Sequence, residues 1–169
     1  MSALVVYESM FGNTRAIAEA VASGIGSVVK VEVVEVAAAP RQLSAEVDLI
    51  VVGAPTHAHG LSRPQSRESA AQQGPIESRG IGVREWIGGL TVPSVVRIAA
   101  FDTRFAKARW LTGSAAVTMA KLLRRKGYAG DVVTESYFVD HSLGPLRDGE
   151  LQRAREWGAG LAGRRTATV

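Results

Sequence analysis

The apolar run Ala3-Leu4-Val5-Val6-Tyr7 leads straight into Glu8-Ser9-Met10-Phe11-Gly12-Asn13-Thr14, and a helical pattern follows from Thr14 to about Ile25. A strand that enters a helix through a turn of hydroxyl residues and glycine aims several backbone N–H groups, and the positive end of the helix dipole, at one point in space. Such a point is an anion site, and a phosphate monoester fits it. The string is neither G-x-x-x-x-G-K-[ST], which adds a lysine for a triphosphate, nor G-x-G-x-x-G, which marks a dinucleotide fold. Gly12, Asn13 and Thr14 would also serve as an ordinary turn and helix cap. Their place at the carboxyl end of the first strand of an α/β pattern, where such sheets put their ligands, favours the phosphate reading.

The rest of the chain keeps that alternation. Strands are expected at 3–8, about 30–36, 48–53, about 94–101 and about 131–139. The second admits charges, as an edge strand does, and the third is a continuous apolar run suited to burial on both faces. Helices are expected at 14–25, with Gly24 and Gly26 at its end, at 114–126, closed by Gly127, and at 148–162, with Leu151, Ala154, Trp157 and Leu161 on one side. Five strands with helical crossovers give a three-layer, doubly wound α/β parallel sheet. The irregular part is 54–90, read as a loop, a short helix near 62–73, a link, and a helix near 82–88. Connections of that length are commonly functional.

A length of 169 residues suits one domain, and 46% hydrophobic with 21% charged residues excludes a disordered chain. No cysteine occurs, which rules out disulfides, thiolate metal sites and cysteine nucleophiles, and fits a reducing cytoplasm. Neither a signal segment nor a membrane span is expected. The net charge is +4, with Arg104, Lys107 and Arg109 in one cluster, Arg124-Arg125-Lys126 in another and Arg164-Arg165 near the tail. Without interleaved aromatics or a groove-reading motif these charges imply no specific nucleic-acid binding. The 124–126 triplet lies at a helix C-terminus, where the dipole favours cations.

Ser9-Met10-Phe11-Gly12-Asn13-Thr14 after a first strand resembles the FMN-phosphate loop of the flavodoxin family, which grips its phosphate with neutral amides and hydroxyls. The resemblance extends over about residues 1–163 and implies a flavodoxin-like fold with strand order 2-1-3-4-5 and FMN as cofactor. It implies two further flavin loops. One follows the third strand, with Pro55, Thr56, His57 and Gly60; Thr56 matches a family hydroxyl, while His57 stands where many flavodoxins carry tryptophan. The other follows the fourth strand, with Phe101, Asp102, Thr103 and Phe105. Phe105 is the first candidate for an outer aromatic and Phe101, equally readable as core, the second; Asp102 and Thr103 would address the pyrimidine edge. The His57-x-His59 spacing is too sparse for a metal site.

The function these features imply is FMN-based electron transfer, needing no catalytic residue, with a redox partner protein or small electron acceptor. The Arg104, Lys107 and Arg109 cluster favours an acidic partner and an anionic reduced flavin. Two alternatives stay open. One is an FMN-dependent oxidoreductase of a quinone, nitro compound or porphyrinogen, with His57 or His59 as proton donor. The other is a flavodoxin-fold interaction module that no longer binds FMN. A phosphorelay receiver is excluded, since Glu8 has no acidic neighbour, the third strand ends in Gly53, and no lysine follows the fifth.

Overall fold

The computed structural model describes residues 2–92 and 95–163. Its strands are β1 (Ser2–Tyr7), β2 (Lys30–Glu35), β3 (Val47–Pro55), β4 (Arg97–Phe105) and β5 (Val132–Val139). They form one five-stranded sheet in the order β2-β1-β3-β4-β5, with every pairing parallel. The helices are α1 (Asn13–Gly26), α2 (Pro64–Ala71), α3 (Val83–Gly89), the single turn α4 (Arg109–Thr112), α5 (Ala115–Arg125) and α6 (Glu150–Gly163). No helix of the described residues is long and apolar enough to cross a membrane.

Period-two alternation splits the strand residues between two cores. Ala3, Val5, Leu49, Val51, Ala99 and Phe101 pack with α1 and α6. Leu4, Val6, Ile50, Val52, Ile98 and Ala100 pack with α3 and α5 on the opposite face. Because β1, β3 and β4 are covered on both sides, their centres (3–6, 49–52 and 98–101) read as continuous apolar runs. Charged Lys30 and Glu32 are exposed on the edge strand β2.

Three expectations need correction. The fourth strand runs to Phe105 rather than stopping at 101, because buried partners take up the polar side chains of Asp102 and Arg104; residue 94, its expected start, lies outside the described residues, as do Arg164 and Arg165. Leu151 is exposed, and α6 instead buries Ala154, Gly158, Leu161 and Ala162. Gly24 does not end the first helix, which runs on to Gly26 and is closed at Ser27, whose hydroxyl donates to the Gly24 carbonyl at 2.7 Å.

Gly24 has a packing role. A Cβ there would overlap the carbonyl oxygen of Arg155, and a Cβ on Gly158 would overlap that of Val21. The helices α1 and α6 therefore meet backbone to backbone across two glycines, and backbone cannot give way as a flexible side chain can. Gly160, one turn-fraction further along α6, has nothing within 4 Å of its Cβ position. Opposite effects are expected from one chemical change. Gly158→Ala should destabilise the protein by about 1–3 kcal/mol through overpacking, whereas Gly160→Ala should stabilise it by about 0.5–1 kcal/mol through helix propensity. Urea denaturation of the two variants measures both, and equal midpoints would contradict the close contact.

Candidate functional site

The carboxyl ends of β1, β3 and β4 converge on one region, as the parallel topology requires. At its centre is the turn between β1 and α1. Gly12 has φ +91°, a left-handed conformation that suits glycine, and its N–H donates to Ser9 Oγ at 3.1 Å. The first helical bond of α1 runs from Ala16 N–H to the Gly12 carbonyl at 3.0 Å. The N–H groups of Met10, Phe11, Asn13 and Thr14 make no hydrogen bond among the described residues. The helix start thus presents a cluster of open donors without a side-chain cap. This is the feature a phosphate requires, and it fits the turn read from sequence. Ser9 is fully buried, and its Oγ accepts the Gly12 N–H, which shapes the turn.

Beside this turn lies a cleft of about 420 Å³, within the usual size range of small-molecule sites. Of the residues expected at a ligand, Met10, Phe11, Thr56, His57, Thr103 and Phe105 line it. Thr103 Oγ1 lies 2.7 Å from Thr14 Oγ1, tying the end of β4 to the first turn of α1. Thr56 uses its hydroxyl oxygen to accept the Ala115 N–H at 3.0 Å, so it helps cap α5. His57 and Gly60 exchange two backbone hydrogen bonds, of 2.7 and 2.9 Å, across a tight turn in which Ala58 and His59 have positive φ. Burial, helped by the positive charge of Arg67, pushes the His57 imidazole below its ordinary value and keeps it neutral near pH 7. Gly60 and Pro55 are scaffold: the first closes that turn, and the second ends β3 opposite Thr103. No group of three or more His, Asp or Glu able to hold a metal occurs among the described residues.

Phe101 and Asp102 do not reach the cleft. Phe101 is fully buried under α1 and α6, edge-on to Tyr137 at 5.9 Å and to Trp157 at 6.3 Å, and its ring fills the space where Gly53 lacks a side chain. Asp102 points into the opposite core face, where it accepts from Ser114 Oγ and from Ala116 N–H and so anchors the N-terminus of α5. Arg104 is likewise withdrawn from the surface cluster. Its guanidinium donates to Ser136 Oγ at 3.2 Å, to the Lys107 carbonyl at 2.8 Å and to Thr112 Oγ1 at 3.1 Å. It braces the 105–112 loop, leaving Lys107 and Arg109 as the exposed cations there. The sequence reading missed Ser66, Ser69 and Ala70, which bring one face of α2 to the cleft, Gln73 just after it, and Leu111 of α4. For the residues within 54–90, the length of that segment was the signal.

Glu8 was the other omission. Fully buried, it accepts from Ser62 Oγ and from Val83 N–H at 2.8 Å, capping α3 from the end of β1. Arg67 donates to the same Ser62 oxygen at 2.9 Å and to Glu85 at 3.2 Å. Burial pushes the Glu8 carboxyl above the ordinary carboxylate range, while the Ser62 and Val83 hydrogen bonds pull the other way without cancelling it. The folded protein therefore holds this proton over a pH window in which the unfolded chain has released it. The resulting stabilisation is complete below the ordinary value of 4.5 and is lost as pH rises through the folded value. Glu8→Gln has no such titration. The stability of the parent relative to this variant should fall as pH rises above the ordinary value of 4.5 in a urea-denaturation series, and a flat difference would show that Glu8 titrates as an ordinary carboxylate.

Comparison with known proteins agrees with this architecture. Residues 4–66 match the flavodoxin domain family model, a stretch that contains the turn, β3 and the 57–60 loop. No curated protein matches the chain. Among solved structures, a flavodoxin from the domain Archaea is similar with 23% identity and a TM-score of 0.60, covering 96% of each chain. A Streptococcus pneumoniae TIGR4 flavodoxin is similar at 17% identity and a TM-score of 0.60, over 96% of this chain and 98% of its own. An azoreductase from Bacillus anthracis is similar at 11% identity and a TM-score of 0.59, over 96% and 98% respectively. With its strand order β2-β1-β3-β4-β5, the chain has a flavodoxin-like fold.

Proposed function

We propose that this protein binds FMN and acts as an electron carrier. The observation that carries the reading is the open donor cluster at the head of α1, set at one end of a cleft walled by the loops after β3 and β4. The four unbonded N–H groups at 10, 11, 13 and 14 would receive the terminal phosphate, aided by the dipole of α1. Phe11, His57 and Phe105 offer flat faces along the cleft for a tricyclic ring, and Thr103 offers a hydroxyl at its inner edge. Once bound, the flavin supplies the redox chemistry, and the chain's part is to orient it and set its surroundings. The fit favours a mononucleotide, since the donor cluster serves one phosphate and no dinucleotide turn accompanies it.

The partner side of the proposal rests on the rim. Trp110 is 81% exposed and Leu111 49% exposed, with Lys107 and Arg109 in the same exposed stretch. A protein that meets the cleft here would suit an acidic surface with an apolar centre. The cleft also supports a second reading. Ser66 and Ser69 of α2, Gln73 just after it and the neutral His57 give it a polar wall that a carrier does not need. A reductase of a small aromatic acceptor would use such a wall.

Flavin titration of the purified protein tests the first reading, followed by visible absorption. FMN should bind more tightly than riboflavin by tenfold or more, roughly one charge-assisted hydrogen-bond set. Gly12→Val, which forces a β-branched residue to positive φ, should abolish that preference while leaving the apoprotein folded. Equal affinities in the parent protein would remove the phosphate assignment. Steady-state reduction of a quinone by NAD(P)H separates carrier from reductase, since turnover above about 1 s⁻¹ would favour the enzyme.

A further inference from the structure

The segment that follows α2 lies along the phosphate turn. Glu77 N–H donates to the Met10 carbonyl at 2.9 Å, Ser78 N–H to the Ser9 carbonyl at 2.8 Å, and Ser9 N–H returns a bond to Ser78 Oγ at 2.9 Å. Ser78 Oγ in turn donates to Glu35 at 2.7 Å. These bonds hold the Glu77 backbone against the turn and leave its side chain free to choose a position. The carboxylate borders Gly12: a methyl group there would lie 3.6 Å from Glu77 Oε1. The same oxygen is 3.4 Å from Arg15 Nη1, and Arg15 also pairs with Glu19 at 2.8 Å. Arg15 stands in the first turn of α1, at the positive end of the helix dipole, where a cation is disfavoured unless carboxylates or a ligand anion offset it. One negative and one positive side chain thus flank a donor cluster that would otherwise be neutral.

We propose that Glu77 weakens the hold of the turn on a phosphate and that Arg15 exchanges Glu77 for the phosphate when FMN binds. The proposal rests on the phosphate assignment made above and concerns what tunes it. A carboxylate beside the Gly12 turn would repel a phosphate dianion held there even through water, and salt screens the repulsion. Arg15 acts in the opposite sense. While no anion is bound it neutralises Glu77, and a phosphate at the head of α1 would compete for its guanidinium. The 72–82 segment therefore makes flavin release a property of two side chains, neither of which contributes to the turn's backbone donors.

Affinities for FMN and riboflavin, measured by flavin-fluorescence quenching on the parent chain, Glu77→Gln and Arg15→Gln, test it. Glu77→Gln retains the backbone bond to Met10. It should tighten FMN by about fivefold, leave riboflavin unchanged, and lose most of that gain at high salt. Arg15→Gln should weaken FMN by a similar factor, again without moving riboflavin. Unchanged or weaker FMN binding in Glu77→Gln, with the parent still preferring FMN, would overturn the role of Glu77 and leave the phosphate assignment standing. Parallel changes in FMN and riboflavin would also overturn it, because a structural disturbance would not distinguish the two. If the parent binds both flavins alike, the phosphate assignment fails and the proposal with it.

Discussion

Burying a carboxylate in the middle of a small domain is unfavourable unless hydrogen bonds satisfy it, and Glu8 sits in that position. It closes β1, caps α3 through Val83 and holds Ser62 at the entrance to α2. The 54–90 segment packs Leu61, Val83, Trp86, Ile87 and Leu90 into the core, but the described residues of α2 bury only Arg67 and Ala70. What ties α2 to α3 and to the end of β1 is this polar knot, with Arg67 bridging Ser62 and Glu85. Burial raises the Glu8 carboxyl, whereas Glu85, drawn up by burial, ends below the ordinary range because Arg67 and the Gly82 N–H outweigh it. The two carboxylates are therefore unlike in charge preference, and a single arginine is enough to connect them.

The cleft depends on that knot. With α2 fixed, its Ser66 and Ser69, and Gln73 just after it, line the cleft beside the turn before α1, and the strap that follows reaches Ser9 and Met10. On the far side, Asp102 and Arg104 do the equivalent work. Asp102 seats the N-terminus of α5, and Arg104 gathers the 105–112 loop against Ser136. The candidate ligand residues are thus carried on loops, and buried charged side chains brace the 62–85 and 105–112 segments beside them. Such an arrangement keeps a site formed before its ligand arrives.

Phe101 and Phe105 illustrate how a strand divides labour between residues a few positions apart. Both were plausible as the outer aromatic. Register places Phe101 opposite Gly53, where its ring packs under α1 and α6, and the strand then carries Phe105, paired with Val139 at its last position, to the rim of the cleft. The fourth strand's polar end looked like a loop because Asp102-Thr103-Arg104 breaks an apolar run. Buried partners from α1, α5 and β5 let it remain a strand.

Local signals in the chain determined the alternation of strands and helices, the parallel α/β class, the Gly127 that closes the 114–126 helix and the glycine turn that opens α1. Each depends on residues within a few positions of one another, so periodicity and turn chemistry suffice to read them. The strand order itself came from family resemblance, and the structure bears it out. Other roles were decided only by tertiary structure. Gly24 became a contact for α6, Glu8 a cap for α3, Arg104 a brace, and Glu77 a neighbour of Gly12. Every one of these depends on a partner tens of residues away or on which face a strand presents. No local pattern encodes that distance, because burial and hydrogen bonding between remote segments exist only after the sheet has brought them together.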